Sequence, residues 1–513
     1  MPLRLFRLVL GLFYLAGPVL IVLELFKPVL SIPIALLATA YIAQLARLSR
    51  GDSPAGAKDN PVSNPALASI AFVLCIAWVY YSGIGGFAPC RWDYVKHNLI
   101  FSYLLNQELP IYTSSNGQEV IVHYSFAYYI TPVRIFQIAN HLASGVSLNA
   151  VLLAFYSVVL FLAASILARG RMAFLLVLLT VLCLTGGLDV IGMLAFGVEP
   201  QGELSTSSLT LTVPFNLEWW GVPYAPQSFT MNLYYAPQHF FGALAGTALL
   251  QDSLQFERPT ATPLIDSAII IAASTFWSPY VAVGLAALAV VLILSFGIRR
   301  VFHQWKGEKL PLLLTPRGVI ACVFAVALSL AALLFLWGSK PLSPPNVVLS
   351  SRNAFGWLIT YALNYAPFLI ALLLVLWPSS RRSPANGGPK PFCPALPKIL
   401  AGCLVASALV LLVGHGFYND WAMRTTLPLS IALAVALTKV LVGGLKWPYL
   451  AGLVVVLALS SVSSLAEITR GVLEPKTHCA RYGRFRLEDM GALVPQYEGR
   501  GDSILYRYLV RGR

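Results

Sequence analysis

The run "NAVLLAFYSVVLFLAASILA", residues 149–168, contains no charged side chain, and the basic "RGR" of residues 169–171 follows it directly. An α-helix needs about twenty consecutive apolar residues to cross the hydrocarbon core of a bilayer. Inside that core every backbone polar group needs a partner within the protein, and a continuous rather than alternating apolar pattern favours a helix over a β-barrel strand. The run therefore predicts a membrane-spanning helix with one basic end.

Similar runs recur along the 513 residues, of which 58% are hydrophobic and 11% charged, and the mean hydropathy is +0.73. We predict an all-α, polytopic transmembrane helical bundle of about thirteen spans. Their expected positions are 5–26, 28–48, 66–86, 149–168, 172–196, 236–251, 263–278, 281–298, 318–337, 356–378, 397–415, 426–445 and 448–465. The predicted domain division is a membrane domain at 1–465, with outer-face loops at 87–123, 197–235, 338–355 and 414–425, and an extracytoplasmic tail at 466–513.

Basic residues cluster in polar gaps between the predicted spans, and the formal net charge is +14. The gaps hold Arg47, Arg50 and Lys58; Arg169 and Arg171; Arg299, Arg300, Lys306, Lys309 and Arg317; and Arg381, Arg382, Lys390 and Lys398. The positive-inside rule assigns these gaps and the N-terminus to the cytoplasm and the tail to the outer side. The charge is therefore a topology signal, and nucleic acid is not an expected partner. The first apolar run has no small-residue cleavage site, so we expect it to be retained as a span.

One apolar segment, residues 124–145, does not fit this alternation. A full crossing there would move the basic "RGR" to the outer side, and Pro132, Arg134 and His141 make the segment a poor lipid-facing span. We predict an interfacial or partly inserted helix that packs against the bundle.

The stretch "RWDYVKHN", residues 91–98, concentrates charge at the start of the first outer loop. Helical spacing aligns Trp92, Val95, Leu99 and Tyr103 as one apolar stripe, with Asp93, Lys96 and His97 on the adjoining face. A carboxylate beside two potential donors is a candidate general base or ligand clamp. The alternative is an exposed Asp93–Lys96 ion pair on a solvated helix, which stabilises little.

The segment "NLEWWGVPYAPQSFTMNLYYAPQHF", residues 216–240, interleaves aromatic and polar side chains. Its candidate substrate-binding residues are Glu218, Trp219, Trp220, Gln227, Gln238 and His239. Aromatic faces stack on the C–H faces of a sugar, while amides and a carboxylate bind its hydroxyls. An ordinary interfacial aromatic belt is the competing interpretation for each single tryptophan.

Two further motifs place polar side chains toward the outer side. Asp189 of "GGLDVIG" lies in a predicted span, about 25 Å from its cytoplasmic start at about 1.5 Å per residue. A carboxylate there indicates either a functional group or a structural partner of a buried arginine. The stretch "HGFYNDWAMRTTLP", residues 415–428, offers Asn419, Asp420 and Arg424, where the arginine suits phosphate unless it simply pairs with Asp420.

This layout resembles the GT-C superfamily of membrane glycosyltransferases. It is most similar to uncharacterised multi-pass bacterial membrane proteins with a D-x-x-K-H-N first loop, a G-L-D span, an E-W-W loop and an N-D-x-x-M-R loop, here residues 93–98, 187–189, 218–220 and 419–424. The resemblance implies sugar transfer from a polyprenyl-phosphate donor to an envelope glycan or lipid acceptor, at the outer face of the bacterial cytoplasmic membrane.

The same resemblance implies roles for individual residues. Asp93 would deprotonate or orient the acceptor hydroxyl, while His97 and Lys96 would assist it or bind phosphate. His123 and Tyr124 match the His/Tyr stretch that follows the first loop in such enzymes. The first loop has no D-x-D or E-x-D pair, so no metal cofactor is expected.

Two other function classes fit the sequence. A transporter or flippase for a lipid-linked or amphipathic solute would use buried Asp189, Arg134 and His141 along its substrate path, although no internal repeat is evident and the polar groups gather at one face. A non-catalytic envelope assembly protein would use the outer aromatic loops as an interface. Only the enzyme requires the Asp93 carboxylate for chemistry.

The cysteines carry little metal signal because no C-x-x-C pair occurs. Those in predicted spans, Cys75, Cys183, Cys322 and Cys403, are expected to be small buried apolar residues. Cys90 and Cys479 both fall on the predicted outer side, where an oxidising compartment favours a disulfide between them.

Overall fold

The structure is a computed structural model that describes most of the chain. The described residues are 3–50, 64–88, 93–115, 117–197, 204–206, 209–211, 217–221, 226–255, 263–296, 316–339, 346–347, 354–377, 392–415, 419–473 and 486–511. The predicted disulfide between Cys90 and Cys479 lies outside the described residues.

Helices form nearly all of the described structure. They are α1 Leu3–Leu25, α2 Pro28–Arg50, α3 Pro65–Tyr81, α4 Tyr94–Asn106, α5 Ala127–Leu142, α6 Leu148–Leu167, α7 Met172–Leu184, α8 Asp189–Phe196, α9 Phe229–Tyr235 and α10 Pro237–Gln255. They continue as α11 Pro263–Trp277, α12 Pro279–Phe296, α13 Pro316–Trp337, α14 Ala354–Asn364, α15 Ala366–Leu376, α16 Ala395–Val410, α17 Asp420–Thr425, α18 Leu427–Val442, α19 Trp447–Ser460 and α20 Val462–Leu473. Short 3-10 helices cover Leu217–Gly221 and Leu487–Tyr497, and a π-helical turn covers Leu505–Leu509.

Strands are few and short, and each pairs with one antiparallel neighbour. The pairs are β1 Ile111–Ser115 with β2 Gln118–Val122, β3 Leu204–Thr206 with β4 Leu209–Leu211, and β5 Asn346–Val347 with β6 Val413–Gly414. The described fold is therefore a helical bundle with small hairpins.

Several helices have the length and composition of membrane spans. Among the described residues, seven helices are long and apolar enough to cross a bilayer, or up to nine if each bent helix pair is one span. Helices α3, α11 and α16 are apolar but shorter. This confirms the coarse prediction of an all-α, multi-pass membrane protein, whereas the count of about thirteen spans is not confirmed.

Basic residues gather at one end of the bundle. Arg7 of α1 forms an ion pair with Asp252 of α10 (2.8 Å). Lys439 of α18 lies close enough to Arg169 and Arg171 for their positive charges to act on it. We call this the basic end. Because α1, α6, α7, α10 and α18 all start or finish there, their other ends meet at the opposite face of the bundle.

Helix α5, from the unplaced segment, runs beside α1 in the same direction. At its start Ala127 packs against Gly17, where a Cβ would lie 2.7 Å from the Ala127 carbonyl oxygen. About two helical turns further along both helices, Arg134 forms a fork-shaped ion pair with Glu24, with N–O distances of 2.7 and 2.6 Å. Helix α5 therefore lies along the half of α1 remote from the basic end, and Glu24 neutralises its arginine.

Three helices are interrupted at neighbouring positions. The chain unwinds between α7 and α8, bends by 72° between α14 and α15, and bends by 45° between α19 and α20. The breaks contact one another directly, since the Gly186 amide donates to the Ser460 carbonyl (3.1 Å) and the Leu188 amide donates to the Leu363 carbonyl (3.0 Å). Backbone groups freed by each break are thus satisfied by another break.

The C-terminal segment, residues 486–511, returns to the end of the bundle opposite the basic end. Bridges pair Val122 with Glu498 and Phe26 with Val510. Leu487 and Met490 pack against Leu99 of α4 in a small apolar cluster. The segment thereby closes over the first outer loop. The predicted domain division at residue 465 stays a prediction.

Candidate functional site

Asp93 immediately precedes α4 and bonds to a side chain one turn along it. Its carboxylate accepts a hydrogen bond from Lys96 Nζ at 2.6 Å, and it makes no side-chain cap of the helix. The Asp93 side chain is 27% exposed, whereas that of Lys96 is 11% exposed. Burial lowers the pKa of Lys96, but the charges of Asp93 and Tyr124 and the hydrogen bond to Asp93 together outweigh it and raise that pKa. The predicted pair of Asp93 and Lys96 is therefore present. Its carboxylate is partly exposed, and its ammonium group is enclosed.

His97 points into the protein instead of joining this pair. Its Nδ1 lies 2.8 Å from the Tyr129 hydroxyl, and its Nε2 lies 3.4 Å from the carbonyl of Tyr235. The ring is fully buried. Burial lowers the pKa of His97 well below its ordinary value, and the Lys96 charge adds to the effect. A neutral His97 anchors α4 to α5 and the end of α9.

Arg424 supplies a second enclosed cation. Its Nη1 donates to Gln227 Oε1 at 2.8 Å and to Asn232 Oδ1 at 2.6 Å. Asp420 lies 3.8 Å from Nη2, so a simple helix-terminal salt bridge is not the main contact of this guanidinium. The Nε of Arg424 is buried and has no acceptor among the described residues. Neutral amides therefore hold the fork, and part of its donor capacity is unused. Asn419 has a separate role, since its side chain caps α17.

Tyr124 lies between the two cations. Lys96, Arg424 and Asp93 all act electrostatically on its hydroxyl, and burial raises its pKa. Gln238 Nε2 donates to that hydroxyl at 2.9 Å, while Gln238 Oε1 has no partner in the described part of the chain. We call Asp93, Lys96, Arg424, Tyr124 and Gln238 the Asp93 site.

Two helices begin beside the Asp93 site. Pro237 starts α10 and Pro279 starts α12, positions where a proline ring fits the first turn. His239 Nδ1 lies 2.7 Å from Ser278 Oγ, which in turn accepts from the Val281 amide. The charges of Arg424 and Lys96 reach His239. Amide dipoles of both helix starts add positive potential to this region.

His123 is not part of this cluster of contacts. Its Nδ1 lies 2.6 Å from the Tyr506 hydroxyl, and its ring packs 4.3 Å from that of Phe335. Burial lowers its pKa to about 3. His123 therefore joins β2 to the C-terminal segment and α13 as a neutral residue.

The remaining predicted carboxylates meet at the helix breaks. Asp189 Oδ1 accepts from the Trp220 indole at 3.0 Å, and Oδ2 accepts from Ser463 Oγ at 2.5 Å. Glu218 Oε2 accepts from the Ser228 amide at 2.7 Å. We call Asp189, Glu218, Trp220 and Ser463 the Asp189 junction. One alternative for Asp189 was a structural pairing with a buried arginine. Among the described residues no arginine bonds to it, and its partners are Trp220 and Ser463. The side chain of Trp219 lies outside them.

A narrow cavity separates the two regions. It has about 30 Å³ of free space, enough for about two water molecules, and its lining includes Gly187, Ser228, Asn364 and Gln227. Gln227 also binds Arg424, so the cavity wall belongs to both regions.

Several residues of these regions carried no signal in the sequence. Tyr497 packs its ring 4.8 Å from that of Tyr124, although it comes from the predicted tail. Tyr129 and Ser463 supply contacts that depend on which helices are neighbours. Aromatic and amide content marked residues 216–240 but could not identify their partners. Compared with known protein families, curated proteins and solved structures, the chain matches none.

Proposed function

We propose that this protein is a membrane glycosyltransferase that transfers a sugar from a polyprenyl-phosphate donor to an envelope glycan or lipid acceptor. The observation that carries the proposal is the Asp93 site, where a partly exposed carboxylate lies beside two enclosed cations. A glycosyl transfer needs a base for the acceptor hydroxyl and positive charge for the leaving phosphate. Asp93 offers the first, and Lys96 with Arg424 offers the second.

The phosphate would be held by donors that are already fixed in position. Gln227 and Asn232 orient the Arg424 fork, which retains an unused Nε–H donor, and the nearby starts of α10 and α12 favour an anion. Because these groups are enclosed, they need little rearrangement when negative charge develops on the leaving oxygen.

The proposed reaction is a single displacement. The acceptor oxygen forms a bond to the anomeric carbon while the bond from that carbon to the phosphate oxygen breaks. The acceptor proton passes to the Asp93 carboxylate, and the electron pair of the broken bond stays on the polyprenyl phosphate. Lys96 donates to Asp93 in the resting protein and can turn toward the phosphate when Asp93 becomes protonated.

The sugar would lie against amide and aromatic groups of the same region. The free Oε1 of Gln238 can accept from a sugar hydroxyl, and Gln227 is only partly buried. The proposed reaction is written without a metal, because the first loop has no D-x-D or E-x-D pair.

The proposal includes the position of the protein in the membrane. We infer about thirteen spans in a bacterial cytoplasmic membrane, with the basic end in the cytoplasm and the Asp93 site and tail on the outer side, where lipid-linked sugars and envelope acceptors meet.

A transporter or flippase is the second candidate, and the helix breaks favour it. Interrupted helices around an acidic group are typical of transporter substrate sites. The adjacent cavity has about 30 Å³ of free space, room for about two water molecules, so a solute path there would require a large rearrangement.

The test is glycan profiling of cells that carry Asp93→Asn, compared with a deletion strain and wild type at equal protein level. Loss of the base lowers transfer by about a hundredfold or more. We therefore expect the variant to match the deletion, accumulating polyprenyl-phosphate sugar and lacking its glycan. Asp502→Asn is the matched control, because that acid is 65% exposed in the C-terminal segment.

If Asp93→Asn behaves as wild type while the deletion has a phenotype, Asp93 is not the base and the transferase proposal fails. The transporter predicts a different defect, retention of a lipid-linked solute on one side of the membrane. A non-catalytic assembly protein predicts that the variant supports normal glycan levels.

A further inference from the structure

The Asp189 junction contains two carboxyl groups with almost no exposure to solvent, since Asp189 is 1% exposed and Glu218 is 3% exposed. Both oxygens of Asp189 accept a hydrogen bond, from Trp220 and from Ser463. Glu218 uses only Oε2, toward the Ser228 amide, and its buried Oε1 has no partner among the described residues. One carboxyl oxygen is thus left in a position where a proton can reside.

The surrounding elements do not supply a counter-charge to this pair. The titratable groups on the described helices that pack around it are Cys183 of α7, Tyr234 and Tyr235 of α9, Tyr361 of α14, and Glu467 and Arg470 of α20. Arg470 is the only cation in that set, and it pairs with Glu467 at 3.0 Å. Every hydrogen bond to Asp189 and Glu218 therefore comes from a neutral donor.

Two ionised carboxylates that interact electrostatically cannot both remain in such an environment at low cost. Each would lose its hydration without gaining a cation, and the two negative charges would repel each other. Binding of one proton removes both penalties, as it does in other close carboxyl pairs.

We propose that Asp189 and Glu218 bind one proton between them, and that this proton keeps residues 217–221 docked against α8 and Ser228 bonded to Glu218. Glu218 is then a positioning residue for Arg424. The proton-binding pair does not itself touch the proposed substrates, and the proposal holds whether or not the transferase proposal is correct.

The connection from Glu218 to Arg424 is a short chain of hydrogen bonds. The Ser228 side chain caps α9 by accepting from the Met231 amide (3.1 Å), and Asn232 Nδ2 donates to the Ser228 carbonyl (3.0 Å). Oδ1 of the same Asn232 accepts from Arg424 (2.6 Å). Movement of Ser228 away from Glu218 would therefore displace an amide that orients the guanidinium.

The partner contacts of the pair hold the segment from the other side. Trp220 packs directly on α8, where a Cβ at Gly192 would lie 2.2 Å from the indole. The same indole donates to Asp189. A second negative charge on Glu218 would be repelled by Asp189 and would loosen this contact.

The pH dependence has a definite sign. Burial raises the pKa of Glu218 well above its ordinary value, and the charge of Asp189 raises it further. Because the folded state binds the proton more tightly than the unfolded state, stability is full below the ordinary glutamate pKa, about 4.3, and is lost as pH rises through the folded value. Docking of residues 217–221 should weaken over the same interval.

The experiment is hydrogen exchange of residues 217–235 in the full-length protein in detergent micelles, at a series of pH values from about 5 to about 9 and corrected for intrinsic exchange. In wild type we expect protection to fall by up to about tenfold per pH unit above the ordinary glutamate pKa, and to level off above the pH at which the pair loses its proton, the midpoint. Glu218→Gln, which stays neutral, should remain protected throughout. Glu467→Gln, a neighbouring carboxyl with its own cation, should keep the pH-dependent loss of protection and lower its midpoint only slightly, because the Glu467 charge makes a small contribution to the raised Glu218 pKa.

Infrared spectroscopy supplies a second readout that needs no variant to fold at high pH. Wild type should show a protonated-carboxyl band at neutral pH that disappears as pH rises, and Glu218→Gln should lack it. Absence of that band in wild type, or a wild-type midpoint in Glu218→Gln, overturns the proposal. The proposal is also overturned if hydrogen exchange changes when choline replaces sodium but does not change with pH, since a metal cation would then neutralise the pair.

Discussion

The Asp93 site and the Asp189 junction solve the problem of enclosed charge in opposite ways. At the Asp93 site each charge has a partner, with Lys96 bound to Asp93 and Arg424 bound to two amides, and the acid remains partly exposed. At the Asp189 junction the acids are enclosed and only neutral donors contact them. The first arrangement leaves charge available for a ligand, whereas the second leaves an acid without a counter-charge.

This difference teaches where chemistry can be expected in a chain with few charged residues. An ion pair that is open on one side can exchange its internal partner for a substrate at modest cost. A buried pair of like charges cannot exchange partners and is instead stabilised by a proton. The two regions should therefore respond differently to substitution: one should lose ligand binding, and the other should lose stability.

Replacement of Arg424 should have the largest effect on ligand binding. Arg424→Met removes the fork that Gln227 and Asn232 orient, and hydrogen bonds to charged groups contribute about 1.5–3 kcal/mol each. We expect polyprenyl phosphate to bind about a hundredfold more weakly, measured by titration of the purified protein in detergent.

Arg424→Lys is the control for charge alone. It keeps the cation but loses the planar fork, so binding should fall between wild type and Arg424→Met. Equal affinity of wild type and Arg424→Met would contradict the assignment of this arginine to phosphate. The two regions would then differ only in how far their charged groups are exposed.

Replacement of Asp189 should have the next largest effect, and it should appear in stability. Asp189→Leu leaves the Trp220 indole and the Ser463 hydroxyl without their acceptor, and a buried unsatisfied donor costs about 1–3 kcal/mol. We expect a loss of about 2–4 kcal/mol in the free energy of unfolding, seen as a clear decrease in Tm.

Asp189→Asn separates hydrogen bonding from charge. It retains one acceptor oxygen and removes the acid, so it should lose less stability than Asp189→Leu. Because burial still raises the Glu218 pKa but the Asp189 charge no longer adds to it, the pH dependence of the junction should move to lower pH. A similar Tm for Asp189→Leu and wild type would show that the junction is not a structural centre of the fold.

Local features of both regions could be predicted from the sequence because helical spacing determines them. Asp93 and Lys96 lie three residues apart and do pair. The same rule placed His97 beside them, but a buried tyrosine on α5 binds its ring instead. The motif around Arg424 was recognisable, yet its main partners come from another segment of the chain.

The rest depended on which helices become neighbours, and spacing carries no such information. Asp189 and Glu218 each stood out as acidic residues in apolar surroundings, but nothing in the sequence paired them. The helix breaks that bring them together depend on contacts such as the Gly186 amide with the Ser460 carbonyl. For the C-terminal segment, the predicted Cys90–Cys479 disulfide placed the tail near the first outer loop, but nothing in the sequence placed Tyr497 beside Tyr124.

The smallest expected effect concerns this C-terminal segment, which closes the Asp93 site and does not reach the Asp189 junction through any contact of the described residues. Tyr497→Ala removes a ring contact with Tyr124, and aromatic pairs contribute about 0.5–1.5 kcal/mol. Binding of polyprenyl phosphate should weaken by about two- to tenfold, while exchange of residues 217–235 should keep its dependence on pH.

Tyr497→Phe keeps the ring and should bind the lipid like wild type. If Tyr497→Ala also changes the exchange of residues 217–235, the C-terminal segment acts on the Asp189 junction as well, and its assignment to the Asp93 site alone is wrong. If only binding changes, the C-terminal segment serves the Asp93 site alone. The charged groups of that site, each of which has a partner, then serve ligand binding. The acids of the Asp189 junction, which lack a counter-charge, affect the stability of the fold.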